Sequence, residues 1–227
     1  MTQHRNAVER TDEKGIAASP GRIKRLFWVS IVGILLYIIL DVVVQSLPPH
    51  YSPISQAESD LAVGPYGYLM AVNFVNRGVL SGVFVYALTR TFRATGEVET
   101  AYSNGKFVTG TRLLWVWAVG SFLLAFFPTD VPATPVSWHG ALHLLFAFLA
   151  FIGGAFGTAL LSTQFRLNRA LRGISGALMA IGVLAVIFFL ILVPTLSSSI
   201  GGLTERLFLG SVLLWIAVVS GYLVRQE

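Results

Sequence analysis

Six apolar runs, separated by prolines, glycines and charged loops, set what this chain can become. They cover residues 26–47, 68–89, 112–127, 136–161, 174–196 and 203–224. A hydrocarbon layer about 30 Å thick is crossed by roughly 20 apolar residues in a helix. The third run is the shortest and takes in residues 108–111 to reach the interface. Inside lipid every backbone polar group must be satisfied within the fold, which leaves helices or closed barrels. Barrel strands alternate apolar and polar residues, and a stretch such as 181–193 does not alternate. The expected fold is therefore all-α, a polytopic integral membrane bundle of six transmembrane helices.

Composition agrees. Only 12% of residues are charged and 55% are hydrophobic, against about 25% charged in a soluble domain, too few for a water-facing surface. The net charge of +5 belongs to loops and does not make a nucleic-acid binder. With no cysteine, disulfides, thiolate metal sites and thiol catalysis are excluded, and a metal would need His, Asp or Glu. Residues 1–21 mix both charge signs with Gly, Ala and Ser and read as a disordered tail; residues 22–227 form the membrane domain. The segment around Gln45-Ser46-Leu47-Pro48 lacks a small-residue cleavage pattern, so the first span is retained as a helix. Pro48-Pro49 closes that span, Pro128 closes the third, and Thr134-Pro135 has the form of an N-cap followed by proline at the first helical position.

Lysine and arginine gather in alternate connections. Arg5, Arg10, Lys14, Arg22, Lys24 and Arg25 precede the first span, Arg90, Arg93, Lys106 and Arg112 lie between the second and third, Arg166, Arg169 and Arg172 between the fourth and fifth, and Arg225 near the end. Cytoplasmic loops carry this excess. The expectation is a multi-pass protein of the cell membrane with both termini cytoplasmic and membrane lipid as its partner.

Ionisable residues inside spans are costly and mark candidate sites. Counting about 1.5 Å per residue from the outer helix ends, Asp41 and Arg77 lie at depths that allow an ion pair. Asn73 and Arg77 are spaced i, i+4, with Asn76 beside them, and the last span opens with Thr204, Glu205 and Arg206. The outer loop adds Glu58, Ser59 and Asp60, and Asp130 follows the third span. All of these belong to one half of the bundle, so an outward-facing polar pocket built from spans one, two, four and six is expected. Asp41, Glu58, Asn73, Arg77, Glu205 and Arg206 are its candidate binding residues. Plainer readings stand beside this one: a structural Asp41–Arg77 pair, headgroup contacts for Glu205 and Arg206, and interhelical hydrogen bonds for Asn73 and Asn76. The pairs Gly78/Gly82 and Gly153/Gly157 read as packing motifs, and the five tryptophans, Trp28 and Trp138 among them, as an interfacial belt.

His139 and His143, also i, i+4, put two imidazoles on one helical face and are candidate ligands for a divalent metal such as zinc. A third ligand is required, and Asp130, Asp60, Glu58 and His50 lie on the same side. The alternative for the pair is a proton relay or a structural latch.

Several of these segments carry a family resemblance: Tyr51-Ser52-Pro53-Ile54-Ser55-Gln56, Glu58-Ser59-Asp60-Leu61, Phe127-Pro128-Thr129-Asp130, His139-Gly140-x-x-His143, and Glu205-Arg206 ahead of Leu214-Trp215. In order and spacing the chain from Arg22 onward resembles the bacterial and archaeal membrane family catalogued as domain of unknown function 998. That resemblance implies a compact six-helix membrane protein and supplies no catalytic residues. A looser similarity is to membrane hydrolases of the alkaline ceramidase type, which use Ser, Asp and His around an intramembrane zinc. Ser59, Asp60, His139 and His143 would correspond, although those enzymes have seven spans and keep their His pair on the last.

Two functions follow. In the first the protein is a hydrolase or other lipid-modifying enzyme, with Asp130 or Asp60 as general base, Ser59 as a further catalytic candidate, and a metal on His139 and His143 activating water. In the second it is a small-molecule or proton-coupled binder or transporter using Asp41, Asn73, Arg77 and the histidines. Assembly with another membrane protein is a third possibility.

Overall fold

A computed structural model describes residues 20–94, 105–131 and 134–226. The described residues form six long helices and no strand: α1 Pro20–Gln45, α2 Gly67–Ala94, α3 Lys106–Leu123, α4 Trp138–Phe165, α5 Ser175–Thr195 and α6 Gly201–Arg225. Apart from Pro20 and Gly21, which open α1, the tail expected over 1–21 lies outside the described residues. Five helices are long and apolar enough to cross a membrane; α3, at 18 residues with Lys106 and Arg112 in its first two turns, is not among them. The protein is a membrane protein with transmembrane helices.

Each helix packs against its sequence neighbours, and α6 returns to α1, so the six close into a ring in chain order. Asp41 near the end of α1 meets Arg206 near the start of α6, and Arg77 of α2 meets Ser121 near the end of α3, so neighbouring helices run antiparallel. The ends of α1, α3 and α5 and the starts of α2, α4 and α6 therefore lie at one end of the bundle, and residues 166–174 join α4 to α5 at the other. Arg22, Lys24, Arg25, Arg90, Lys106, Arg112, Arg166, Arg169, Arg172 and Arg225 lie toward the latter, basic end. Arg77 and Arg206 sit toward the opposite end.

Lipid offers no hydrophobic drive to bring helices together, so close backbone approach through small residues matters more than in water. Helix α3 shows this. Gly78 of α2 packs on one side of it, where a Cβ would fall 2.8 Å from the Phe122 backbone, and Gly153 of α4 on another, where a Cβ would fall 2.8 Å from Trp117 N. The glycine pairs read from the sequence clasp the shortest helix between its two neighbours. Many aliphatic side chains point outward, Ile39 at 58% and Leu190 at 59% exposure, as a lipid-facing surface requires.

Inside the ring, Trp117, Phe84, Phe208 and Trp215 are fully buried. The two indole N–H groups are satisfied locally, Trp117 donating to Ser81 Oγ at 2.9 Å and Trp215 to Ser162 Oγ at 2.8 Å. Only Trp28, Trp115 and Trp138 are exposed, so Trp117 and Trp215 are removed from the expected belt. Two boundaries move as well. Helix α3 begins at Lys106, earlier than the 112 expected, and ends at Leu123. Helix α4 begins three residues after Pro135, because Ser137 supplies the cap, its Oγ accepting Gly140 N–H at 3.1 Å.

Candidate functional site

After α1 the chain folds back over the bundle. Residues 46–57 lead into a 3-10 turn, Glu58–Ala62, whose Asp60 carboxylate accepts Ala57 N–H at 3.1 Å. Loop and α6 are tied together by backbone and side chain. Leu203 N–H donates to Ile54 O at 2.9 Å. Arg206 Nη2 donates to Tyr51 OH at 2.8 Å, and its Nη1 to the carbonyl oxygens of Pro53 and Gln56 at 3.1 and 3.3 Å. Tyr51, Leu61, Val44, Met70, Phe74 and Leu124 form a second apolar cluster beneath this lid. Burial there pushes the Tyr51 phenol and the Asp60 carboxyl up from their ordinary values.

The lid carries Glu58 down into the bundle, where it is 2% exposed. One carboxylate oxygen pairs with Arg77 Nη1 at 3.0 Å; the other accepts the Tyr37 hydroxyl in a short hydrogen bond. The Glu58 backbone N–H donates to Glu205 Oε2 at 2.8 Å. Arg77 is 1% exposed, donates from Nε to Ser121 Oγ at 3.2 Å, and lies with its guanidinium carbon 5.2 Å from the Phe74 and Trp117 ring centres. A charge so deep is tolerable only with such partners on every side.

A cavity of about 320 Å³ opens beside this group. Its polar end holds Glu58, Ser59, Arg77, His143 and Glu205, and its walls are apolar: Phe74, Leu124, Leu144, Ala147, Phe148, Phe151 and Leu196. Leu144, Phe148 and Leu196 are about half exposed on the outer surface of the helices, so the mouth opens sideways, between α4 and the end of α5. His143 Nδ1 lies 2.6 Å from Phe127 O. A carbonyl can only accept, so Nδ1 carries the proton, and in the neutral ring Nε2 keeps a free lone pair. Among the described residues Nε2 of His143, Oε1 of Glu205 and Nη2 of Arg77 have no hydrogen-bond partner, yet none of these atoms is sealed from access. All three residues line the cavity.

The sequence candidates thus divide. Glu58, Ser59, Arg77, His143 and Glu205 come together. Asp41 does not reach Arg77: it accepts from Gln45 and faces Arg206 Nη2 at 3.8 Å, and α1 contributes no residue to the cavity lining. Asn73 is fully buried behind Arg77, its Nδ2 donating to Tyr37 O at 3.1 Å and its Oδ1 without a partner. Asp60 caps the 3-10 turn and lines a smaller cavity of about 170 Å³ with His50 and Tyr51. Asp130 sits at the start of α4, accepting Ser137 Oγ–H at 2.5 Å and Ser137 N–H at 2.9 Å. These bonds hold its carboxyl below the usual carboxylate range. Gly140 makes the arrangement possible, since a Cβ there would overlap the Asp130 carboxylate. His139 is half-buried against the Trp138 ring. Among the described residues no three His, Asp or Glu side chains gather as a metal site.

Tyr37 and Ser121 were not foreseen. Tyr37 left one signal, a lone hydroxyl in the aliphatic run Ile34-Leu35-Leu36-Tyr37-Ile38-Ile39-Leu40. Ser121 left none, because its role depends on where α3 packs.

A family described as "Protein of unknown function (DUF998)" matches residues 31–222. No curated protein and no solved structure matches the chain.

Proposed function

The chain belongs to the DUF998 family of proteins of unknown function, and we propose that it is a six-span membrane enzyme that hydrolyses or otherwise modifies the polar head of a lipid-class amphiphile. The amphiphile enters sideways from the outer half of the bilayer. Helix α3 is the sixth span: its 18 residues measure about 27 Å at the helical rise, and Lys106 and Arg112 reach the headgroups at its start. The basic end faces the cytoplasm by the positive-inside rule, which places both termini there and the lid outside.

One observation carries this reading. The same cavity joins a polar end made of Arg77, Glu58, His143 and Glu205 to apolar walls that reach the lipid-facing surface. His143 is the general base. With Nδ1–H held by Phe127 O, Nε2 accepts a proton from water as that water attacks the head ester; the acyl–oxygen bond breaks and the proton passes to the leaving alcohol. Arg77, fixed by Glu58 and Tyr37, offers its remaining N–H groups to the oxyanion. Asp130 and Asp60, as caps, are not needed in this scheme, nor is a metal. A proton-coupled binding or transport role is the second reading, drawing on the two acidic residues Glu58 and Glu205 that line one cavity and meet through the Glu58 backbone N–H.

The test uses protein in lipid nanodiscs with a long-chain p-nitrophenyl ester and a lysophospholipid, following products by mass spectrometry. Turnover that falls about 100-fold or more in His143→Gln, at an unchanged melting temperature, is the expected result. Saturable binding without products would favour the second reading; neither binding nor products would end both.

A further inference from the structure

We infer that the polar end of the cavity takes a protonated amine, so that the amphiphile it admits is a long-chain ester whose head carries an amine. This rests on the amphiphile reading above and adds the chemistry of the head. Four ionisable groups line the cavity: Glu58, Arg77, His143 and Glu205. Arg77 and Glu58 neutralise each other at 3.0 Å. The next cation along α6, Arg206, turns away to Tyr51, Pro53, Gln56 and Asp41.

Glu205, 8% exposed, makes no ion pair among the described residues; one oxygen is held by Glu58 N–H and the residue lines the cavity. His143 adds a second free acceptor, Nε2, also from a side chain 2% exposed. Two carboxylates against one guanidinium in the cavity suit an ammonium, which donates N–H to Glu205 Oε1 while His143 Nε2 stays with the attacking water. The ring of Phe151 lines the same space and favours a cation further. A volume of about 320 Å³ admits about ten water-sized groups, enough for the head and first carbons, with the remaining chain passing Leu144 and Phe148 into lipid.

The experiment compares probes that share one chain and differ only in the head: dodecylamine, dodecanol and dodecyl phosphate, titrated against the full chain in maltoside micelles at pH 7. Dodecylamine is expected to bind at least tenfold more tightly than the other two, and Glu205→Gln to bring all three within about threefold. Glutamine keeps an acceptor for Glu58 N–H, so the fold is retained; should that variant not fold, the order of the three probes on the wild-type chain decides alone. Tightest binding of dodecyl phosphate, no preference among heads, or an amine preference that survives Glu205→Gln would overturn the inference while leaving the amphiphile cavity standing. If no probe binds, the proposed function falls with it.

Discussion

Two arginine–carboxylate pairs lie at the same end of the bundle and differ in almost everything that decides what a pair is worth. Arg77–Glu58 is buried, closes at 3.0 Å, and is surrounded by Ser121 and the rings of Tyr37, Phe74 and Trp117. Arg206–Asp41 stands 3.8 Å apart with side chains 20% and 16% exposed, and its arginine chiefly holds backbone carbonyls of the lid. The first locates a carboxylate and a guanidinium to within one geometry at the head of a cavity. The second fastens a loop. Depth therefore separates a pair that shapes a site from one that closes it.

That contrast can be broken from its strong side first. Arg77→Met leaves Glu58 buried without its cation and should cost about 3–5 kcal/mol, read as loss of folded protein or a large fall in melting temperature; adding Glu58→Gln should recover part of it. Arg206→Ala removes charged hydrogen bonds to the lid at a half-wet site and should cost about 2 kcal/mol, with proteolysis in residues 46–57 as the second readout. Ser137→Ala, which uncaps α4, should cost about 1 kcal/mol. Asp41→Asn should change stability by less than about 1 kcal/mol and abolish the salt dependence of the rim pair; a larger loss would mean the rim pair is as structural as the inner one.

A pH series sharpens the same point with carboxylates outside the spans. Asp130 is held below the usual range by Ser137, so its contribution is present above the unfolded value of about 3.9 and is lost as pH falls through the folded value. Asp130→Asn should flatten the acid limb of a melting-temperature profile. Asp60 is raised by burial, so its effect has the opposite sign: stability is lost as pH rises from the unfolded toward the folded value.

The periodicity of apolar residues made the helices legible, but not which polar groups would meet. Asp41 and Arg77 matched in depth, and depth is only one coordinate; the direction each side chain takes around its helix sends Asp41 to Arg206 and leaves Arg77 to a residue of the lid. Glu58 could be read as a loop residue of the pocket but not as the partner of Arg77, since nothing local says how far a loop will dip into the bundle. The His-x-x-x-His spacing was real, yet the helix start at Trp138 leaves His139 in its first turn, against the ring before it, while His143 turns inward. Trp117 and Trp215 were read as belt residues because an indole at an interface and one bonded to a buried serine look alike in one dimension.

By itself the sequence determined that the chain enters a membrane, which segments become helices, and which end of the bundle is basic, because these follow from hydropathy and charge summed along short stretches. Tertiary structure alone decided that the helices close into a ring, that a loop supplies Glu58 to Arg77, and that His143 and Glu205 share one cavity. Those contacts join residues as far apart in the chain as Asp41 and Arg206, and only packing in three dimensions can select them.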